Sequence, residues 1–578
     1  MRNFEYFQMR VHFFLEKTQD PVPFKLKELE GVWHCSAKNV KRKLKQYAME
    51  GKCVYQPGMG RGVPSRIAFH QPLKEEIEQE VSHLAKRNKL EDIMQLLQLP
   101  IPKAWITNIS KDIRNLFGLH TSEESKDVLR TVVSRTITTL DPALASINFE
   151  CFLLQQLGDP LVAFDPDSGS ISPHLAHHWE ANDTSTVWTF YLRKGVKFHN
   201  QSLLTSEDVK YTFSRFQTLA SSHAWLVEDI EQIYCPSPHI VQFILHKPNP
   251  FFARYASSHH LSILPRNESF NDYAWIGTGP FQIKKRTESL LILQAFDDYF
   301  WTRPILDEVE IYSISFETTT LITYDVDRQK TEEDLVNKNI LEIGFRFLAF
   351  NFKKESVIRH PAFRKALFHL YDVKRMGQDL KRDNFLEASS YFHWKSKAQT
   401  KNRKWVKPFI EESNYQGQPL VLYAPSYPSH RAEAEWFVNE AKHAGIRIEL
   451  KTFILDNLYD LELDDADLIL LGETASADYY LSFMGAFLNK SLIFNRFFSQ
   501  DQLKHMRELF DHIKAESAPD QQERLMESVE SYIREQNLFL YLYHPVKRRA
   551  FHPMLNDVEF DSFGFVDFKR LWVKSAIV

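Results

Sequence analysis

The densest chemical signal in the chain is a row of bases: Ser36, Lys38, Asn39, Lys41, Arg42 and Lys45 within ten residues, followed by Arg61 and Arg66. Side chains of these types suit a polyanion, with arginine as a flat fork for phosphate or guanine and lysine as a point charge. A solvated helix face is the competing reading for each lysine. Clustering on one segment favours the polyanion. Through His70 there are 13 Lys/Arg and 6 Asp/Glu, a balance of +7, so the remaining residues carry -4 - 7 = -11. A basic head on an acidic body confines phosphate binding to the head.

Other reactive types are scattered. Cys35, Cys53, Cys151 and Cys235 form no C-x-x-C pair and no Cys/His run at ligand spacing, so neither a structural zinc nor a disulfide framework is expected, and the compartment reads as reducing. Among 23 histidines the pairs His177-His178 and His259-His260 have no third ligand at recognisable spacing. No nucleophile elbow or acid pair is present, and Gly277-Thr278-Gly279 is not a phosphate loop because no Gly-Lys-Ser/Thr follows. The expectation is a protein that is not an enzyme and uses no metal and no cofactor. Metal analysis of the purified protein would discriminate.

The bases need elements to hold them. Apolar Phe4, Phe7, Val11, Phe14 and Leu15 recur at helical spacing up to Glu16, and Pro21 and Pro23 end that helix. Leu26 to Trp33 reads as a second short helix. Ser36 then caps a third by accepting a bond from the Asn39 N–H, with Val40, Leu44, Tyr47 and Ala48 on its inner face and Gly51 just past its end. Strand candidates Cys53–Gln56 and Arg66–Phe69 flank the turn-rich loop carrying Arg61. This is the layout of a winged helix-turn-helix, which places Ser36, Lys38 and Asn39 against base edges or phosphates of a major groove. Lys41, Arg42 and Lys45 would hold backbone phosphates, while Arg61 and Arg66 on the wing would reach a minor groove or phosphate.

From Pro72 to Leu99 a charged helical stretch carries the stripe Ile77, Val81, Leu84, Ile93, Leu96 and Leu97. Packing within the chain is the commoner fate of such a stripe, and a homodimer seam is the alternative. Pro100 and Pro102 break it, and a polar patch from Thr121 to Lys126 marks a boundary. The expected domains are a head at 1–70, a helical linker at 71–125 and a body at 126–578, whose lobes span roughly 126–345 with 500–578, and 346–499. With 578 residues the chain exceeds one core, and 43% hydrophobic with 25% charged residues is ordinary globular composition. Strand-like runs at Val128–Val133, Val187–Leu192, His239–Leu245, Leu290–Ala295 and Leu420–Tyr423 alternate with helical runs at Glu207–Phe216, Pro361–Leu370, Ala432–Ala444 and Asp520–Gln536. That mixture implies an α/β body of several lobes. The N-terminus lacks an apolar leader and no apolar run reaches about 18 residues, so a soluble, cytoplasmic chain without membrane contact is expected.

Several blocks of the body resemble family 5 of the extracellular solute-binding proteins. They are Leu140-Asp141-Pro142, Pro173 to Glu180, Thr189 to His199 followed by Leu204 to Val209, Gly277 to Phe281 with Tyr299-Phe300-Trp301, Phe350-Asn351 with Pro361 to Leu367, and Ala444-Gly445-Ile446. Joined to the head, with Cys35-Ser36 and Leu44, the Gly60 to Ser65 wing and the Gly564 to Trp572 ending, the chain resembles SgrR-type transcriptional regulators. The resemblance implies a multidomain protein: an N-terminal winged helix-turn-helix plus an α/β bilobal periplasmic-binding-protein-like (type II, family 5) domain. It further implies a one-component cytoplasmic regulator that binds double-stranded promoter DNA and senses a small-molecule effector, in known members a sugar phosphate.

In peptide-binding relatives an aspartate in a D-Y-x-x-P neighbourhood holds the peptide ammonium. The matching stretch, Gly472 to Tyr480, lacks the proline and shifts the acid, which speaks against a peptide ligand. A second departure is the short polar segment between Ser315 and Phe345. Glu150, Asp478 and Tyr479 are the expected cleft residues, with lobe packing as their competing role. The rival class is a solute-binding component of an oligopeptide-type ABC transporter.

Overall fold

The computed structural model describes all residues except 1, 17–20, 61–62, 103, 106–112, 114–115, 122–125, 167, 220, 315–335, 342, 456–457, 459–460, 552–554, 557–558, 560–564 and 574–578. The chain forms two compact units. One comprises Met1–Ile137, Lys284–Gln294 and Leu306–Glu332, and the other comprises Thr138–Ile283, Ala295–Ile305 and Glu333–Val578.

The first unit begins with α1 (Arg2–Glu16), β1 (Val22–Phe24), α2 (Leu26–Trp33), α3 (Ala37–Met49), β2 (Cys53–Gln56) and β3 (Ser65–Phe69). The strands lie in the order β1-β3-β2, all antiparallel, which makes the winged sheet. Two local expectations change. Phe7 and Val11 of the expected stripe are buried, but near the end of α1 Phe13 is buried in place of Phe14, which is 47% exposed. Pro23 does not merely stop a helix: it sits in edge strand β1 opposite Arg66, where an absent N–H costs no ladder bond.

The stretch expected as one helix at Pro72–Leu99 is two, α4 (Leu73–Lys86) and α5 (Leu90–Leu97), because Asn88 adopts a left-handed φ of 57° between them. Their apolar faces join the head. Leu73, Ile77, Val81, Ile93, Leu96 and Leu97 share one core with Tyr6, Leu29, Trp33, Val40, Leu44 and Ile67. The buried Arg10 clamps α1 to α4, with Nε donating to Glu76 at 2.9 Å and a second N–H to the Gln71 carbonyl at 2.6 Å.

That core continues into a five-stranded sheet. Its order is Phe281–Arg286, Leu290–Ala295, Glu308–Ser313, β5 (Asp127–Val133) and β4 (Gly118–Thr121), with β5 parallel to Glu308–Ser313. Leu290, Tyr312 and Ile314 are buried in the same cluster as the winged-helix residues. Polar bonds reinforce the join. Arg130 donates to Glu310 at 3.0 Å and to Asn88 Oδ1 at 2.7 Å, and Lys285 pairs with Glu91 at 2.8 Å.

The second unit has two lobes. In one, Val187–Leu192 alternates Trp188, Phe190 and Leu192 inward and pairs with Ile240–Leu245, whose Val241, Phe243 and Leu245 point the same way. Helix Ser206–Thr218 covers these residues with Val209, Phe213 and Phe216, and its start is fixed by Asp208 accepting the Thr205 N–H at 2.8 Å. The other lobe holds a seven-stranded mixed sheet built around Gly344–Phe350, every residue of which is buried between Phe539–Phe551 and Leu468–Thr474. Among the described residues no helix is long and apolar enough to cross a membrane.

Candidate functional site

Two places in the chain collect chemistry. The first is the solvent face of α3, where Val40, Leu44 and Tyr47 are buried at i, i+4 and i+7 and thereby turn the intervening residues outward. Ser36, Lys38, Asn39, Lys41, Arg42 and Lys45 are all exposed. Among the described residues, no carboxylate lies within ion-pair distance of Lys38, Lys41, Arg42 or Lys45. Lys43 differs: it turns back to Glu5 at 2.7 Å and lies over the Trp33 ring at 5.0 Å, so its charge is spent inside the head. Ser36 occupies the N-cap position, yet its hydroxyl makes no capping bond; the expected bond from Asn39 is absent, and the Ser36 carbonyl instead accepts the Val40 N–H. Arg66 is exposed on β3 opposite Gln56, and Arg61 lies outside the described residues.

The second place is a cleft between the two lobes of the second unit, with a cavity of about 100 Å³. The first lobe contributes Cys151 from helix Asn148–Leu157, His223, and the His259-His260 pair from a single 3-10 turn. The second lobe contributes Glu473 near the end of strand Leu468–Thr474 and Asn489 at the end of helix Tyr479–Leu488.

Hydrogen bonds fix two of the imidazoles. His260 Nδ1 faces the Pro142 carbonyl at 3.0 Å, and since a carbonyl only accepts, Nδ1 carries the proton and Nε2 keeps its lone pair. By the same reasoning His223 donates from Nε2 to the Ala145 carbonyl at 2.9 Å, leaving Nδ1 to accept from Asn489 at 3.4 Å. The rings of His223 and His260 stack with centroids 3.6 Å apart. Burial drives His223 down to about 4, His259 to about 3, and His260 well below its ordinary value. Burial also pushes the Glu473 carboxyl up to about 8. At neutral pH the cleft therefore presents neutral imidazoles and a protonated acid, and none of its lining residues is lysine or arginine.

The expected cleft residues sit elsewhere. Glu150 is buried and its carboxylate accepts the Thr138 N–H and hydroxyl, both at 2.6 Å, and the Thr139 N–H at 3.1 Å. Asp478 caps helix Tyr479–Leu488 by accepting the Leu481 N–H and takes both arms of the Arg254 guanidinium, at 2.6 and 2.7 Å. Tyr479 meets Trp394 edge to face at 4.6 Å. None of the three lines the cleft.

What the sequence reading did not assemble is the group Cys151, His259 and His260, whose ligand atoms lie within 4.8 Å of one another. The histidine pair was visible in the sequence. Its third member lies 108 residues upstream (259 - 151 = 108) and arrives only through the fold.

Comparison with known proteins places these features. The model of the bacterial extracellular solute-binding proteins, family 5 (middle region), matches residues 170–493, and that of the sugar transport-related sRNA regulator N-terminal domain matches residues 2–117. The chain is 28% identical over 572 residues to the uncharacterized protein YhjP of Bacillus subtilis (strain 168), covering 95% of each. To the HTH-type transcriptional regulator SgrR of Pectobacterium atrosepticum it is 27% identical over 342 residues, 58% of this chain and 59% of that one. Among solved structures it resembles the dipeptide-binding protein of Pseudoalteromonas sp. SM9913 in complex with Met-Leu, with a TM-score of 0.68 at 17% identity, over 77% of this chain and 100% of that one.

Proposed function

This chain belongs to family 5 of the bacterial extracellular solute-binding proteins, and from that premise we propose that it is a one-component transcriptional regulator. Its winged helix binds promoter DNA, and its clamp senses a small solute in the cytoplasm. The observation that carries the reading is the exposed row Lys38, Lys41, Arg42 and Lys45, free of carboxylate partners among the described residues, on a head of the SgrR type. An unpaired row of bases on the recognition helix is what phosphate contact needs.

Coupling has a physical route. The head's core includes Leu290 and Tyr312, strand residues that are remote in sequence, so head and sheet form one packed body rather than beads on a tether. The chain then passes between the two units at 137/138, 283/284, 294/295, 305/306 and 332/333. A solute that favours one clamp conformation would be communicated to the head along these connections. Couplings of this kind are typically about 1–3 kcal/mol.

Full-length protein incubated with fragmented genomic DNA should retain particular promoter fragments against excess bulk competitor, and candidate effectors should change that retention. Equal retention of all fragments, with and without effectors, would sink the proposal.

The fold similarity to a dipeptide-binding protein favours a second reading, a transport component that binds peptides. Against it stands Asp478, whose carboxylate is taken up by Arg254. Calorimetric titration with di- to pentapeptides decides this, since the regulator reading expects no heat of binding. A sugar phosphate, the effector implied by the SgrR resemblance, calls for cations, and the cleft lining offers none.

A further inference from the structure

We propose that Cys151, His259 and His260 form a binding site for a divalent transition metal of the zinc class, with a fourth coordination position open to the cleft. The proposal deepens the solute-sensing reading above and rests on its clamp: the sensed species is the metal ion itself, or a small molecule that binds through it.

Four observations meet here. The donor set is one thiol and two imidazoles, which suits zinc and its neighbours over calcium or magnesium, whose ligands are oxygens. The donor atoms lie within 4.8 Å of one another, while a tetrahedral zinc with bonds of about 2.0–2.3 Å sets them roughly 3.4–3.7 Å apart. A contraction of about 1 Å closes that difference, within reach of χ rotations of the three side chains.

The outer contact is the one metal sites use. The His260 Nδ1–H donates to the Pro142 carbonyl, which orients the ring and leaves Nε2 as the donor atom. Position completes the case. The three ligands come from one lobe, and the cleft they line is closed on its other side by Glu473, Ser476 and Asn489 of the second lobe. Three protein ligands with a fourth site facing a cleft is the open arrangement, in contrast to a sealed structural zinc. An ion held by one lobe gives the other lobe something to close on, either through Glu473 or through a metal-bound solute.

The test uses the full-length chain, stripped with a chelator and titrated with Zn²⁺ against a chromophoric competitor, and in parallel with Co²⁺. Expected are one ion per chain and a thiolate-to-cobalt charge-transfer band. Cys151→Ser should abolish the band and weaken Zn²⁺ binding at least tenfold, His259→Gln and His260→Gln should each weaken it similarly, and Cys235→Ser should leave it unchanged. Circular dichroism of each variant separates lost binding from lost fold. If Cys151→Ser were to misfold, protection of the Cys151 thiol from alkylation by Zn²⁺ in the unaltered chain gives the same answer. Binding that ignores these substitutions, or no stoichiometric binding at all, overturns the proposal. Retention of promoter fragments is read on the same samples. Selective retention without metal binding would leave the regulator standing and the metal site refuted, and metal binding without selective retention would do the reverse.

Discussion

The charge arithmetic of α3 gives the sharpest test of the DNA reading, because it needs no knowledge of the operator. Five exposed bases, Lys38, Lys41, Arg42, Lys45 and Arg66, are available to phosphates, whereas Lys43 is paired to Glu5. Each phosphate neutralised contributes about -0.9 to the slope of log K against log salt, so five contacts give a slope of about -4.5 on any duplex. Between 50 and 200 mM salt that amounts to a loss of about 500-fold in affinity. Replacing Lys41 and Lys45 with alanine leaves three contacts, a slope of about -2.7 and a loss of only about 40-fold over the same range. Lys43→Ala removes a charge already compensated and should leave the slope unchanged. Fluorescence anisotropy of full-length protein on a random duplex, at four or five salt concentrations, measures all three slopes. An unaltered slope in the Lys41/Lys45 variant, or an equal drop in Lys43→Ala, would refute the assignment of this face.

Three other outcomes follow from packing and charge. Arg254→Ala strands the 4%-exposed Asp478 carboxylate with one backbone donor, and should lower unfolding stability by about 3–5 kcal/mol in urea titrations; a loss below about 1 kcal/mol would show that the pair is not holding the structure. A methyl group on Gly279 would sit 2.3 Å from the Leu157 carbonyl carbon and 2.5 Å from the Gly158 nitrogen, so Gly279→Ala should cost on the order of 3 kcal/mol, while Gly31→Ala, in open space within α2, should stabilise by about 0.5–1 kcal/mol. Burial lowers Lys401 from 10.5 to about 7, despite the opposite pull of Asp372 and Glu387, with its amine 3.3 Å above the Phe368 ring. Between those two values the unfolded chain binds more protons than the folded one, so this group's contribution to stability rises with pH across pH 7–10.5. Lys401→Met should therefore raise the melting temperature most at and below pH 7 and not at all near pH 10.5, and a uniform gain across that range would contradict the burial argument.

Much of the architecture was legible because local rules sufficed. The inner face of α3 was read correctly from Val40, Leu44 and Tyr47, and Gly51 takes the left-handed φ of 71° just past its end. In the body, the run expected at Val187–Leu192 is a strand with those bounds, and the one expected at Pro361–Leu370 is a helix with those bounds. The two glycines of the family block have a steric reason: a β-carbon at Gly277 or Gly279 would collide with the Leu157 backbone, and at Gly277 with the Trp275 ring as well. What failed depended on tertiary context. Pro23 reads as a breaker unless one knows that its strand lies at an edge. The break at Asn88 follows no periodicity, and at the end of α1 Phe13 and Phe14 are both apolar, so only packing chooses which one is buried. Site residues were the hardest. Acidic side chains such as Glu150 and Asp478 resemble ligand-binders in sequence, but they are consumed by backbone N–H groups and Arg254. The cleft is instead lined by residues whose proximity spans more than a hundred positions.

Arg254 also bears on which ligands the clamp can admit. Asp478 holds the chain's own Arg254 guanidinium, which stacks near Phe164, Phe251 and Tyr480 at 4.7, 4.7 and 5.1 Å. Arg254 comes from one lobe and Asp478 from the other, so the pair fastens the two lobes beside the cleft. An incoming ammonium would have to displace a bidentate, tethered and aromatic-flanked cation, and gains no compensating contact for the arginine it frees. The consequence is a clamp with a built-in fastening beside its neutral, imidazole-lined cavity, and under the sensing reading a solute would act against that fastening. For a transporter, which must open to release cargo, such a fastening is a burden. For a sensor whose output is a small bias in the posture of a DNA-binding head, it sets the resting state against which a solute acts.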